Sequence, residues 1–513
     1  MGAVAGQPLP RGRAKAVRAA AAVISAGLLS TAAIGGSVAA GSGVASAAAA
    51  GTGRPASRTV TTGHESSRAK LLPAGVAATL PPTDWPAYLN GPLHTSYNAS
   101  QTLITPASAP TLAEQWSFTT GAPYLASPTV TSTAVYIGSA SGAFYKLSVH
   151  TGAILSQRNI GAQPALTCPA TGVASTAAVG FSPHGHIPTV YVAGGDGYLY
   201  ALKASNLSVE WRAVVGIPSK KINNYFNWSS PTISHGKIYL GISSNCDVPL
   251  IRGGVAVYSQ ATGRRLAVYY TVPRGVDNTG GSVWSSIGVA PNGDVYATTG
   301  NGPARNPRLQ NSESIIKLDP NTLKLLGSYK IPVRQVTGDG DFGGSPVFFG
   351  KYVGACNKNG YFYVLNQATM KLVWRWRIGV SSGGPKRGEC IASPAYNGKE
   401  LFFGGNETTF DKATYPGSVS ARSATTGALL WQTGLPGAVM GSPTLDGGGL
   451  LAVGAYSKAP NGVYLIAAST GAIVVDPLSA GATFAQSVFA DSWLFTATSN
   501  GVTAWGLPVV PSS

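Results

Sequence analysis

Two short stretches break an otherwise regular chain and put reactive side chain types close together. Thr299-Gly300-Asn301-Gly302 stands where a plain glycine turn is expected, and Asp339-Gly340-Asp341-Phe342 directly precedes Gly343-Gly344-Ser345-Pro346. An amide and two carboxylates at such strand ends can accept a proton, hold a cation or merely cap a glycine-rich loop. Other chemistries find little support. No Ser/His/Asp or paired-carboxylate arrangement stands out for a hydrolase, and the 513 residues include only six histidines. The four cysteines, Cys168, Cys246, Cys356 and Cys390, have neither the CxxC spacing of a zinc knuckle nor the CxxCH of covalent haem. In an exported chain they imply two disulfides with three possible pairings. Their places in neighbouring repeats favour Cys168 with Cys246 and Cys356 with Cys390.

The elements that must position these residues come from a unit recurring about every 45 to 60 residues. It reads Ser-Pro, a short apolar strand ending in Tyr-Ile/Leu-Gly, a glycine turn, a second strand, a Thr-Gly turn and often Trp. Copies begin near Ser127, Ser175, Ser230, Ser286, Ser345, Ser393, Ser442 and Ser487. Each holds three or four runs of period-two alternation rich in Val, Ile, Tyr and Phe, the pattern of half-buried antiparallel strands. The eighth copy stops at Ala504-Trp505-Gly506 without an outer strand, whereas an orphan strand, Glu114 to Gly121, precedes the first. The expectation is therefore all-β: an eight-bladed β-propeller of four-stranded antiparallel blades, the last blade closed by the N-terminal strand. An open solenoid would leave both end repeats uncapped.

Composition fits one large repeat domain. Hydrophobic residues make up 44% and aromatics 9%, too many for a disordered chain, while charged residues are only 11%. The N-terminus carries Arg11, Arg13, Lys15 and Arg18, then an apolar run from Ala19 to Ala40 and Ala45-Ser46-Ala47. This reads as a secretory signal over 1–47, with a membrane anchor as the alternative. A flexible lead over 48–80, the propeller over 81–508 and a tail over 509–513 complete the division, so the protein is expected outside the cell or in its wall, with no membrane span once the signal is cut. The net charge of +17 is partly held by the signal and lead, and no basic run is interleaved with aromatics. Nucleic acid is thus not an expected partner, and an anionic cell wall is the better reading of the charge.

From Asp84-Trp85-Pro86 and Tyr97-Asn98, through the Trp116 strand, to Trp505, the chain resembles the eight-bladed quinoprotein alcohol dehydrogenases and, more closely, polyvinyl-alcohol-dehydrogenase-like members of the pyrroloquinoline quinone (PQQ) repeat proteins. The resemblance implies PQQ and Ca²⁺ as cofactors, an alcohol as substrate and a separate electron carrier as partner. Residue by residue, it makes Trp284 the indole stacked under the quinone, or else a blade-packing residue. Asn301 and Asp341 become metal ligands, with Asp247 in place of an absent glutamate. Asp341 is also the catalytic base, oriented by Asp339. Lys358 and Asn406 contact the quinone; each has the alternative of a plain turn residue. Gly343 stands where lanthanide-dependent relatives have a second aspartate. The vicinal cysteine pair of many family enzymes is missing, although a Cys168–Cys246 bridge could take its place. Non-catalytic scaffolds share the same blade, so a propeller that binds a protein or a cell-wall polymer is the alternative function.

Overall fold

Alternating strands separated by tight glycine turns fold into eight sheets, each stepping outward from a central axis. A computed structural model describes residues 80–508, apart from 184, 275–279, 304–308, 336–338, 380–388, 457–460 and 482. The expected signal over 1–47, nearly all of the 48–80 lead and the 509–513 tail lie outside the described residues. Among those described, only three single-turn 3₁₀ helices interrupt the strands, and no helix is long and apolar enough to cross a membrane.

Blade one is typical, running from axis to rim through Thr129–Val130, Ala134–Gly138, Ala143–Ser148 and Ile154–Asn159. Blades two to seven repeat this order, with inner strands at Ala178–Phe181, Thr232–Ser234, Gly288–Val289, Val347–Phe349, Ala395–Tyr396 and Thr444–Asp446. Blade six adds a hairpin, Thr408–Phe410 with Ala413–Tyr415. Blade eight supplies Val488–Ala490, Trp493–Thr498 and Gly501–Gly506 from its own repeat. Its rim strand is Ala113–Phe118, paired antiparallel to Gly501–Gly506. The ring therefore closes as the orphan strand predicts, and the solenoid is excluded.

The repeated residues now have physical roles. Each Ser of the Ser-Pro step accepts a hydrogen bond from the equivalent backbone N–H of the preceding blade. The chain of bonds runs from Ser127 to Thr176, Ser230, Ser286, Ser345, Ser393 and Ser442, with N···O distances of 2.9–3.0 Å, and Gln486 N–H returns to Ser127 at 2.9 Å. Two repeat starts thus shift by one residue, to Thr176 and Gln486 rather than Ser175 and Ser487. The Thr-Gly turn seats the tryptophan of the preceding blade. At Gly152 (φ +67°) an added Cβ would lie 2.5 Å from the Trp116 indole, and at Gly471 (φ +76°) 2.5 Å from Trp431.

Antiparallel order places the turns between first and second strands, and between third and fourth, at one end of the axis. The turns between second and third strands and the links between blades lie at the other. The first end is closed by residues 84–98, which cross the channel and bond seven of the eight inner strands. Trp85 pairs with Val130, and the carbonyls of Pro86, Pro92, Leu93, Thr95 and Ser96 accept from Val179, Val289, Phe348, Tyr396 and Leu445. Asn98 Nδ2 donates to the Phe489 carbonyl at 3.0 Å. Leu89, Asn90, His94 and Ser96 all adopt positive φ in this hub (50–60°), a strained conformation that the surrounding bonds must hold.

Candidate functional site

The opposite end, the mouth, collects the residues that depart from the repeat. Asn357 Nδ2 donates to the Gly340 carbonyl at 2.8 Å and Lys358 N–H to the Asp341 carbonyl at 2.9 Å, so the Asp-Gly-Asp link is laid along the second turn of blade five. This brings the Lys358 ammonium 3.0 Å from Asp339 Oδ2 and 3.0 Å from Asp341 Oδ2. Asn301, from blade four, donates through Nδ2 to Asp339 Oδ1 at 2.9 Å and to Asp247 Oδ2 at 3.3 Å, and accepts the Gly340 N–H at 2.9 Å through Oδ1. Asp247, from blade three, holds the Ser244 hydroxyl with its other oxygen. Trp284 lies beside the fork, with the Lys358 ammonium 5.3 Å from its ring centroid. Both disulfides form in the favoured pairing and flank this cluster: Cys168–Cys246 ends next to Asp247, and Cys356–Cys390 lies within two residues of Lys358.

Burial governs the electrostatics. Asp341 is 4% exposed, and its Oδ1 has no hydrogen-bond partner and sits against Gly300. Loss of hydration pushes its carboxyl well above the usual range; Lys358 pulls back, and the Asp339 and Asp247 charges push it further up. Burial likewise raises Asp247, although the Ser244 bond opposes this. Asp339 faces the same loss of hydration, but the Lys358 charge and the Asn301 and Lys358 hydrogen bonds hold it below the usual range. Burial works against the Lys358 charge too, but the charges of Asp339, Asp341 and Glu389 keep it firmly protonated. The arrangement is therefore one buried ion pair, Lys358 with Asp339, next to carboxyls that favour their neutral form.

Structure and sequence reading differ in detail. Of the two carboxylates bonded to Asn301, the nearer is Asp339, which thus joins Asn301 to Lys358 rather than only orienting Asp341. The Asn301 amide oxygen, expected to face a metal, is turned to Gly340 N–H. Asn406 lies apart on blade six: its N–H bonds the Glu389 carbonyl at 3.3 Å, its Nδ2 contacts Met440 Sδ at 3.3 Å and its Oδ1 has no partner. Glu389 itself is missed by the sequence reading. It is 4% exposed, and burial raises it to about 7, with Lys358 lowering and Asp339 raising it. An acid beside Cys390, in a chain with 19 acidic residues, was the available signal. Glu313 was also missed; its carboxylate packs against Gly340.

The donor set bears on the expected cofactors. Among the described residues no group of three or more His, Cys, Asp or Glu side chains is arranged around a metal position, and the Lys358 ammonium bridges Asp339 and Asp341. The chemistry of the donors nevertheless suits a hard divalent cation: all are oxygens, the carboxylates outnumber the ammonium, and Asp341 Oδ1 is left unbonded. Gly343 has no space for a second aspartate, since a Cβ there would lie 2.7 Å from Ile391 and 3.1 Å from Trp284.

Residues 173–404 match the protein-family model described as outer membrane protein assembly factor BamB. No curated protein matches the sequence. Among solved structures, the quinohemoprotein alcohol dehydrogenase from Comamonas testosteroni is similar at 16% identity and TM-score 0.65, over 84% of this chain and 82% of that one. A europium-containing methanol dehydrogenase is similar at 16% identity and TM-score 0.64, over 83% and 91%. BamB from Moraxella catarrhalis is similar at 16% identity and TM-score 0.50, over 78% and 99%. At such identity the likeness establishes the fold, and the residues of the mouth must carry any statement about chemistry.

Proposed function

Taking the chain as an eight-bladed propeller of PQQ-type repeats, we propose that it is a PQQ- and Ca²⁺-dependent dehydrogenase of the polyvinyl-alcohol-dehydrogenase-like kind. It oxidises an alcohol outside the cell and passes electrons to a separate carrier. The observation that carries this reading is the Lys358 ammonium held between Asp339 and Asp341, with Asn301 and Asp247 joined to the same network and Trp284 alongside. The two disulfides and the basic-then-apolar N-terminus support export.

When bound, the quinone supplies the hydride acceptor and the divalent cation a Lewis acid. Asp247, Asp339 and Asp341 would hold the cation, with Asn301 available after rotation of its amide. Asp341 offers Oδ1 to the hydroxyl proton of the alcohol. Its raised proton affinity suits a base, and its proton must leave before it can act. Lys358 keeps a positive charge at the mouth through the ion pair with Asp339, where it stabilises negative charge as it develops. Trp284 offers a flat face for a planar group, and the Cys168–Cys246 bridge covers the side of the mouth next to Asp247.

The test is addition of PQQ and Ca²⁺ to the purified protein, following quinone absorbance, thermal midpoint and alcohol-dependent dye reduction. Uptake, a raised midpoint and turnover are expected. Asp341→Asn should retain uptake and lose turnover by about 10²-fold or more; unchanged turnover removes Asp341 from the role of base. A second reading, a protein-binding scaffold, is favoured by the match of residues 173–404 to the BamB family. Neither uptake nor a shifted midpoint in a folded protein would decide for it.

A further inference from the structure

All eight blades share one irregularity near the start of the rim strand, where the pairing skips a single residue. In blades one, four, five and six the skipped residues are Leu155, Leu326, Val373 and Leu430, exposed by 53%, 53%, 42% and 49%, and each follows another exposed aliphatic, Ile154, Leu325, Leu372 or Leu429; the blade-one pair stands apart from the other three and follows Gly152-Ala153 rather than a cation. A bulge usually re-aims a side chain or blunts a sheet edge. Here it turns aliphatic pairs to solvent at one height on three successive blades, which neither packing nor edge protection requires.

Cations stand at the same corner. Lys324 and Lys371 directly precede the aliphatic pairs of blades four and five, and Arg264 and Arg265 precede the skipped Leu266 of blade three; all four are exposed. Lys351 and Lys399, also exposed, lie on the inner turns of blades five and six at this end. Of the nearby acids, Asp294 is paired with Lys317 at 2.8 Å, whereas Asp319 and Glu400 accept hydrogen bonds from neutral groups, the N–H of Asn321 and Thr322 and the amide of Asn397; the six exposed cations at this corner outnumber them. This is the end closed by the hub, opposite the acidic mouth.

We propose that the hub-end rim of blades three to six docks onto an anionic lipid bilayer. Aliphatic pairs spread over neighbouring blades at one height address a plane rather than a peptide groove. The adjoining Lys and Arg stems can lie along the acyl boundary while their charges meet lipid phosphates. Docking in this orientation leaves the mouth, with its buried carboxylates, facing away from the lipid.

Co-sedimentation of the full chain with phosphatidylcholine vesicles, and with vesicles of equal phosphatidylcholine and phosphatidylglycerol, tests this. Binding should favour the anionic vesicles by about tenfold or more. The triple variant R264E/K324E/K371E should lose about tenfold or more, and L326S/V373S/L430S should lose severalfold with an unchanged thermal midpoint. Wild-type binding by either variant overturns the proposal, as it would if residues 11–40 carried the attraction. So does equal affinity for a soluble polyanion such as heparin with the serine variant silent, which would mark a polyanion site instead.

Discussion

The two ends of the channel are built from the same eight strands and solve opposite problems. At the hub end, residues 84–98 bond the inner strands through neutral groups, backbone carbonyls and the Asn98 amide, while Gln486 bonds back to Leu89 and Ser96; the two buried carboxylates there, Asp84 and Asp446, stand apart from each other and accept backbone N–H groups of Ser132 and Leu450. At the mouth, the buried Asp339, Asp341 and Glu389 and the half-buried Asp247 gather around a single ammonium. A neutral network can be fully satisfied and adds rigidity, whereas excess buried carboxylate costs stability unless protons or a cation compensate it. The first end therefore looks made to hold the ring and the second to hold something else.

If that contrast is right, damage at the hub should cost the fold and damage at the mouth should cost chemistry. Trp85 is fully buried and pairs with Val130, so Trp85→Ala should lower stability by about 3–5 kcal/mol in urea unfolding, with cofactor uptake per folded molecule unchanged. Lys358→Met leaves Asp339 and Asp341 without their cation, which should cost up to about 3–5 kcal/mol at neutral pH. Lowering the pH should restore much of this, because protonation of Asp339 removes the uncompensated charge. A Lys358→Met protein as stable as wild type at pH 7 would mean the mouth is not under electrostatic stress.

The contrast was only half legible in the sequence. Ring closure followed from counting strands, because the missing rim strand and the orphan Glu114–Gly121 strand are both visible as period-two patterns. The hub was not. Residues 84–98 have no periodicity, their bonds to the strands come from backbone carbonyls, and the positive φ that turns the chain between them leaves no residue signature in Leu89, His94 or Ser96. At the mouth, the departures from repeat exposed Asn301, Asp339 and Asp341. Glu389 stayed hidden because its place beside Lys358 follows from the Cys356–Cys390 bridge, a pairing across blades rather than a sequence neighbour. Which Asn301 atom faces which neighbour was likewise unreadable, being decided by one N–H at Gly340.

His94 gives the hub a pH limb of its own. Its ring is buried, with Nδ1 2.7 Å from the Pro346 carbonyl, and burial lowers it to about 4, the carbonyl bond opposing. The unfolded chain takes up that proton near pH 6.5. The contribution is thus fully present above about pH 6.5 and is lost as pH falls toward 4, about 3 kcal/mol across the window. Glu389, raised to about 7, and Asp446, raised by burial to about 7, act the other way and weaken the fold as pH rises from about 4 toward 7. His94→Gln should flatten the acid side of a stability profile while leaving the neutral side in place. An unchanged acid slope would show that the hub stays closed when His94 is charged.

The finest separation of the two ends comes from Gly343, between the mouth and the ring of serines. An added methyl would meet Ile391 at 2.7 Å and the Trp284 indole at 3.1 Å, so Gly343→Ala should cost only about 1–3 kcal/mol, through local overpacking. Its effect on Trp284 is another matter, because the indole is partly exposed beside Lys358 and can shift. If Trp284 is the platform for a planar ligand, this variant should weaken quinone uptake beyond what its stability loss explains and alter indole fluorescence. If Trp284 only packs blade four, uptake should follow stability alone. The same variant in a chain already carrying Trp284→Phe removes most of the indole overlap, so the uptake defect specific to Gly343→Ala should shrink there; a defect of equal size would place the cause at Ile391 and blade six.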